Sequence, residues 1–97
     1  MNSKQEYISL LSDFKIKRGI VYGINRIGIF GSVARGEQNE KSDVDIYYEG
    51  EPLSLFKTMT LKNELESLLH STVDIVRLRD RMNEVLKKKI QKEGIYV

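Results

Sequence analysis

The amino-acid sequence predicts a small α/β protein of the α+β type, in which a mixed β-sheet of about three strands is flanked by about four helices. Apolar residues recur at helical spacing in three segments, and three short apolar runs lie between them. In the second half of the chain the order strand, helix, strand favours a parallel crossover. At 97 residues the chain is predicted to form one domain, residues 1–97.

Capping and spacing signals place the first helix. Ser3 followed by Glu6 fits a capping box, so this helix should begin near Lys4. An apolar stripe continues from there, and the helix is predicted to end between Arg18 and Gly23.

The other helices are predicted in the remainder of the chain. Ser32–Arg35 should form a single helical turn. The second long helix ends near His70 and is predicted from its leucines, Leu61, Leu65, Leu68 and Leu69. The last helix, from about Met82 to Glu93, is expected to end at Gly94 as its C′ residue. Its inward-facing residues are predicted to be Met82, Val85, Leu86 and Ile90.

The predicted strands are Arg26–Phe30, Asp43–Tyr48 and Thr72–Arg77. Alternation along the second strand predicts one face made of Asp43, Asp45 and Tyr47. The opposite face should point into the core and consists of Val44, Ile46 and Tyr48. If the third strand runs parallel beside the second, Asp74 lies near the first two acids.

Composition excludes several classes of function. The chain has no cysteine, which excludes disulfides, thiolate zinc sites and cysteine nucleophiles. Its 16 basic and 14 acidic residues, with a net charge of +2, are too balanced to argue for nucleic-acid or membrane binding. No apolar run approaches the roughly 20 residues of a membrane span, and Ser9, Ser12 and Asp13 interrupt any signal-peptide core. We therefore expect a cytoplasmic protein.

Three aspartates in predicted strands indicate a metal site. Strands usually exclude aspartate, yet Asp43, Asp45 and Asp74 all stand among apolar strand residues. Carboxylates gathered at about 4–6 Å repel one another and resist joint ionisation unless a divalent cation offsets their charge. Mg²⁺ takes oxygen ligands and keeps positions for water and substrate phosphates, so the pattern points to phosphate chemistry.

The turn that precedes the acids supplies phosphate contacts. Gly31 permits close backbone approach, and the amides and hydroxyl around Ser32 can contact phosphate oxygens. In a two-metal site the cations stabilise the attacking and leaving oxygens of a displacement, which leaves Asp74 as the candidate base. Each feature alone has an ordinary interpretation as a turn, a strand-end cap or an Asp74 paired with Arg77 or Arg79. Together, in this order, they indicate a nucleotide and metal site.

Gly31-Ser32, ten residues and then Asp43-x-Asp45 resemble the motif of the nucleotidyltransferase superfamily whose fold is shared with DNA polymerase beta. The fuller segments GSVARG and SDVDI, followed by VDIV, are most similar to the minimal nucleotidyltransferases, the MNT or MntA proteins. The resemblance covers nearly the whole chain and implies the nucleotidyltransferase fold. It also implies that Gly31 and Ser32 contact the nucleotide phosphates. By the same resemblance Asp43 and Asp45 hold the metals, and Asp74 is the third carboxylate and base.

The resemblance also implies a cofactor and a partner. Minimal members of the family are similar to antitoxins encoded beside a HEPN-domain ribonuclease, some of which transfer AMP from ATP onto a tyrosine of that toxin. The implied function is a protein adenylyltransferase that uses ATP and two Mg²⁺ ions and has a HEPN toxin as partner. Two alternatives stay open, a non-catalytic antitoxin that occludes the toxin and a nucleotidyltransferase subunit for a small-molecule or RNA acceptor. Oligomerisation of the chain is a further open expectation.

Three other features have two interpretations each. Arg35 matches a recurrent family position and either binds nucleotide phosphate or forms a salt bridge to Asp43 or Glu37. Tyr47 either packs within its strand or stacks on a base. The last helix and its approach are basic, which indicates either a solvated face or a docking surface formed by Arg77, Arg79, Arg81, Lys87, Lys88, Lys89 and Lys92.

Overall fold

Four α-helices and one 3₁₀ helix surround a four-stranded sheet in the computed structural model, which describes residues 2–39 and 41–97. The α-helices are α1 (Lys4–Arg18), α2 (Gly31–Ala34), α3 (Leu55–Leu69) and α4 (Glu84–Glu93). The 3₁₀ helix, Gly19–Tyr22, directly follows α1. The strands are β1 (Ile24–Phe30), β2 (Val44–Gly50), β3 (Val73–Arg77) and β4 (Ile95–Tyr96). The predicted fold class is confirmed, and the sheet has one strand more than expected.

The sheet is mixed, as predicted. Its strand order is β3-β2-β1-β4, with β2 antiparallel to β1 and parallel to β3. Helix α3 connects the two parallel strands, which therefore begin at the same end of the sheet. Phe30 of β1 lies opposite Asp45 of β2, and Asp45 lies beside Asp74 of β3. This register brings the last residue of β1 and two of the predicted acids to one end of the sheet.

Strand β4 is the element that the sequence does not predict, because two residues carry no recognisable alternation. Gly94 follows α4 as expected, but it has φ −65° and ψ 140°, which is extended backbone rather than a left-handed C′ conformation. The chain therefore runs directly into an antiparallel pairing, in which Ile95 lies opposite Ile29. The Val97 amide continues it by donating to the Ile27 carbonyl at 3.0 Å.

Side-chain caps fix the beginnings of the long helices. The Ser3 hydroxyl accepts from the Glu6 amide and the Glu6 carboxylate accepts from the Ser3 amide, so the predicted capping box is confirmed. Helix α3 begins before its leucine repeat, where the Ser54 hydroxyl accepts from the Lys57 amide at 3.1 Å. None of the helices among the described residues combines the length and the apolar composition that a bilayer crossing requires.

Two details of the α4 prediction are wrong. The Asn83 side chain accepts from the Leu86 amide at 3.0 Å, so the helix begins after Asn83 rather than at Met82. Val85, predicted to face inward, is 78% exposed. It stands five residues before the buried Ile90, and at about 100° per residue this places it roughly 140° away around the helix axis.

Side chains are buried on both faces of the sheet. One core lies against α1 and α3 and includes three leucines of the predicted helical repeat, Leu61, Leu65 and Leu69, while Leu68 packs against it partly buried. The opposite face is covered by α4, where Ile90 packs with Phe30 and Tyr47. Tyr48 lies in the first core as predicted. Tyr47 is only 2% exposed, which agrees with the packing interpretation and not with stacking on a base.

Candidate active site

Gly31 shapes the turn between β1 and α2. Its φ of 73° lies in the left-handed region, which residues with a side chain rarely adopt. A Cβ at Gly31 would lie 2.1 Å from Oδ2 of Asp45, so the main chain and this carboxylate are in close contact. Glycine therefore permits both the turn and the approach of Asp45. Ser32, predicted to contact phosphate, follows as the second residue of α2 and is partly exposed.

The three predicted acids lie along the same end of the sheet. Asp43 immediately precedes β2, Asp45 is the second residue of β2, and Asp74 is the second residue of β3. Asp45 and Asp74 are direct partners in the parallel register. Asp45 is partly buried, whereas Asp43 and Asp74 are exposed. Asp45, which contacts the Gly31 turn, thus has the carboxylate of Asp74 beside it on the neighbouring strand.

Sequence reasoning missed Thr72, whose hydroxyl donates a hydrogen bond to Oδ1 of Asp43. The contact follows from the register, because β2 and β3 begin opposite each other. A signal was present in the sequence: Thr72 stands two residues before Asp74, as Asp43 stands two residues before Asp45. Thr72 therefore orients the first acid of the pair from the adjacent strand.

The charges at this end of the sheet act on one another. Burial raises the pKa of the Asp45 carboxyl above its ordinary value, and the nearby charge of Asp74 raises it further. The charge of Asp43 acts in the same direction, whereas those of Lys89 and Arg35 lower this pKa. The three carboxylates therefore repel one another, and Lys89 of α4 is a nearby cation that sequence reasoning did not assign to the site.

The donor set fits Mg²⁺. Among residues 2–39 and 41–97, no three Asp, Glu, His or Cys side chains are grouped closely enough to form a complete metal cage. The acids instead offer only oxygen donors, on adjacent positions, with mutual repulsion that a divalent cation would offset. Mg²⁺ typically binds one or two carboxylates together with waters and substrate phosphates, and the adjacent pair Asp45 and Asp74 offers two such carboxylates.

Arg35 is held by two carboxylates. Its Nε donates to Oε1 of Glu37 at 2.8 Å, and its Nη1 donates to Oε2 of Glu93 at 2.9 Å. The salt bridge to Glu37 was one of the predicted alternatives, whereas the bond to Glu93 of α4 was not foreseen. Arg35 thus connects the segment after α2 to the carboxyl-terminal end of α4.

A separate groove lies away from the acids. It has a volume of about 460 Å³ and runs between the amino-terminal part of α1 and the carboxyl-terminal end of α3, with His70 at its edge. None of the predicted site residues lines it. The chemistry-bearing side chains therefore gather at the open end of the sheet rather than in this groove.

The sequence and the fold match one family of known proteins. The family model described as "Polymerase beta, Nucleotidyltransferase" matches residues 10–97. The protein adenylyltransferase MntA of Thermococcus cleftensis is 37% identical over 98 residues, which cover 100% of this chain and 98% of that protein.

Solved structures of similar proteins share the fold. A chain in the crystal structure of a toxin-antitoxin with AMP-PNP is 29% identical, with a TM-score of 0.73, and the match covers 98% of this chain and 72% of that one. The structure of tri-AMPylated Shewanella oneidensis HEPN toxin in complex with MNT antitoxin gives a TM-score of 0.68 at 26% identity, covering 96% of this chain and 70% of that one. With a family match over most of its length and relatives of this kind, the chain belongs to the polymerase beta nucleotidyltransferase family, in its minimal, MntA-type form.

Proposed function

We propose that this chain transfers AMP from ATP, in the presence of Mg²⁺, to a tyrosine hydroxyl of a HEPN-domain toxin and thereby acts as its antitoxin. One observation carries the proposal: the Asp45 carboxylate lies against the Gly31 turn and directly beside Asp74. This juxtaposition offers a phosphate-binding turn and carboxylate metal ligands at one point, which is what nucleotidyl transfer requires.

The relatives support the partner and the substrate. The Thermococcus protein is named a protein adenylyltransferase, one similar structure is a toxin-antitoxin with AMP-PNP, and another contains an AMPylated HEPN toxin. Asp43 and Asp74 are exposed at the end of the sheet where the candidate site lies, so an acceptor can approach them from outside. A partner protein that brings its own hydroxyl group completes such a site.

The proposed reaction is an in-line displacement at phosphorus. The acceptor hydroxyl oxygen bonds to the α-phosphorus, the bond from that phosphorus to the pyrophosphate breaks, and pyrophosphate leaves with the electron pair. Asp74 accepts the hydroxyl proton, and Gly31 and Ser32 hold the phosphate chain. Asp43 and Asp45, with Asp74, would hold up to two Mg²⁺ ions, which supply charge stabilisation for the attacking and leaving oxygens.

The test is the intact mass of the co-encoded toxin after incubation with this chain, ATP and Mg²⁺. We expect a gain in whole AMP units, reduced about 100-fold or more in rate by the Asp43→Asn, Asp45→Asn double substitution. A double variant at two exposed acids elsewhere, Asp13→Asn with Asp80→Asn, removes the same charge and should retain activity.

The alternatives give different results in the same experiment. If the chain forms a stable complex with the toxin and still inhibits it, but the toxin gains no mass, the chain acts by occluding the toxin and not by catalysis. Transfer to RNA or to a small molecule, with the toxin unmodified, would support nucleotidyl transfer but refute the toxin as its acceptor. Undiminished transfer by the Asn double variant would refute the assigned site.

A further inference from the structure

Helix α4 packs on the face of the sheet that carries Asp45. Its residue Ile90 is 2% exposed and packs with Phe30 and Tyr47. Phe30 is the strand partner of Asp45, and Tyr47 stands two residues after Asp45 on the same face of β2. Ile90 therefore anchors α4 next to the candidate active site.

Lys89 and Glu93 lie four residues apart and share one side of α4. Glu93 reaches Arg35 just after α2, with 2.9 Å between Oε2 and Nη1. Lys89 stands one turn earlier on that side, and its positive charge acts on Asp45. The ion pair from Glu93 to Arg35 and the packing of Ile90 against Phe30 indicate that this side of α4 faces the Gly31 turn, and the effect of Lys89 on Asp45 agrees with that placement.

Lys89 is available to a ligand, in contrast to Arg35. Lys89 is exposed and makes no ion pair with any residue that the structure describes, whereas Arg35 already holds Glu37 and Glu93. A nucleotide bound at Gly31 would place further negative charge next to three carboxylates. Metal ions offset part of that charge, and a lysine ammonium is a common additional partner of phosphate.

We propose that Lys89 of α4 binds the phosphate chain of the nucleotide and is a substrate-binding residue of this enzyme. The inference rests on the proposed function, because it takes ATP as the ligand of the site. Lys89 partly offsets the charge of Asp45 in the free protein and contacts the phosphate groups when the nucleotide is bound. It also stabilises the charge that pyrophosphate acquires as the bond to the α-phosphorus breaks.

The experiment is a calorimetric titration of the whole chain with Mg²⁺ and AMP-PNP. Lys89→Ala should weaken binding about tenfold or more, and Lys89→Arg should recover part of the loss because it restores the charge. Lys88→Ala is the matched variant: Lys88 is exposed and lies two residues from Ile90, roughly 200° around the helix and therefore outward. The affinity of the Lys88→Ala variant for AMP-PNP should stay within about twofold of that of the unsubstituted protein.

The outcomes separate this inference from the proposed function. Equal affinities for Lys89→Ala and Lys88→Ala, beside tight binding by the unsubstituted chain, overturn the role of Lys89 and leave the proposed function intact. Failure of the unsubstituted chain to bind the nucleotide with Mg²⁺ overturns both. If Lys89→Ala unfolds, Lys89→Gln, which keeps the length and polarity of the side chain, replaces it in the comparison.

Discussion

At the residue scale, two glycines share the same backbone conformation and differ in what surrounds them. Gly31 and Gly36 both have φ of 73°. A Cβ on Gly31 would collide with the Asp45 carboxylate, whereas a Cβ on Gly36 would meet no heavy atom within 4 Å. Alanine substitution at the two positions therefore distinguishes the energetic cost of a strained backbone, which both share, from the loss of the contact with Asp45, which affects Gly31 alone.

We predict that Gly31→Ala lowers the rate of AMP transfer about 100-fold, because displacement of a catalytic group by about 1 Å has effects of that order. Gly36→Ala should cost roughly 1–2 kcal/mol of unfolding free energy through its left-handed conformation and leave the transfer rate nearly unchanged. Transfer assays together with thermal unfolding of both variants make the comparison. Equal loss of activity in the two would contradict the close contact between Gly31 and Asp45.

Asp45 is also expected to make the free protein less stable at neutral pH. Burial and the charge of Asp74 raise the pKa of its carboxyl in the folded state above the unfolded value. The ionised form is therefore disfavoured by folding, and this cost is complete above the folded-state pKa. As the pH falls through the folded-state pKa, the carboxyl becomes protonated in the folded state and the cost declines; below the lower unfolded-state pKa both states are protonated and the cost is gone.

Asp45→Asn should accordingly raise the Tm at neutral pH in the absence of Mg²⁺, and this gain should vanish at acidic pH. Mg²⁺ should raise the Tm of the unsubstituted protein and have little effect on the variant, because a bound ligand stabilises only the folded state that holds it. Thermal unfolding at both pH values, with and without Mg²⁺, measures these effects. A gain that persists at acidic pH would point to a cause other than ionisation of Asp45.

At the element scale, α4 covers one face of the sheet, and its residues Lys89 and Glu93 lie on the side that faces the candidate site. The basic segment that includes it is partly engaged within the protein. Arg77 donates to the Gly50 carbonyl at 3.3 Å and Arg79 to the Arg77 carbonyl at 2.7 Å. These contacts support a structural role for part of the segment, and the docking surface stays a prediction.

The Asn83 cap is predicted to stabilise α4. Asn83→Ala leaves the Leu86 amide without its side-chain acceptor and should lower the unfolding free energy by about 1 kcal/mol. For a chain of this size the Tm should fall by about 4–8 °C. Asn83→Asp preserves the acceptor and should change the Tm little, as measured by circular dichroism. A similar fall for both variants would show that the cap bond is not the cause.

At the scale of the whole molecule, covering layers on both faces of the sheet decide which apolar residues are buried. Helix α3 shows this, since Leu65 is fully buried whereas Phe56, on the same helix, is 82% exposed. Other apolar side chains are exposed as well, among them Ile16 and Ile20. Oligomerisation of the chain stays a prediction.

Leu65→Ala should lower the unfolding free energy by about 2–5 kcal/mol, because it leaves a cavity between α3 and the sheet. Phe56→Ala, which removes a larger side chain from the surface, should change it by less than about 0.5 kcal/mol. Denaturant unfolding of the two variants makes the comparison. A large loss for Phe56→Ala would indicate that this side chain is covered in solution.

The sequence alone was enough to predict the α-helices, three of the four strands, the fold class and the candidate site residues. Local signals suffice for these, since capping boxes, leucine spacing, strand alternation and the motif from Gly31 to Asp45 each lie within a few neighbouring turns or residues. The position of Asp74 was also predictable, because a strand, helix and strand in that order favour parallel pairing.

The remaining features depend on contacts between segments that are distant in the sequence. Strand β4 forms because it pairs with the edge of β1, and Tyr47 is buried because α4 covers it. Val85 is exposed because the packing of Ile90 turns the other side of α4 toward the sheet. The proximity of Lys89 to Asp45 likewise depends on the packing of Ile90. Each of these features requires contact between segments that are distant in the sequence. A local sequence pattern does not identify which distant segment will pack against it.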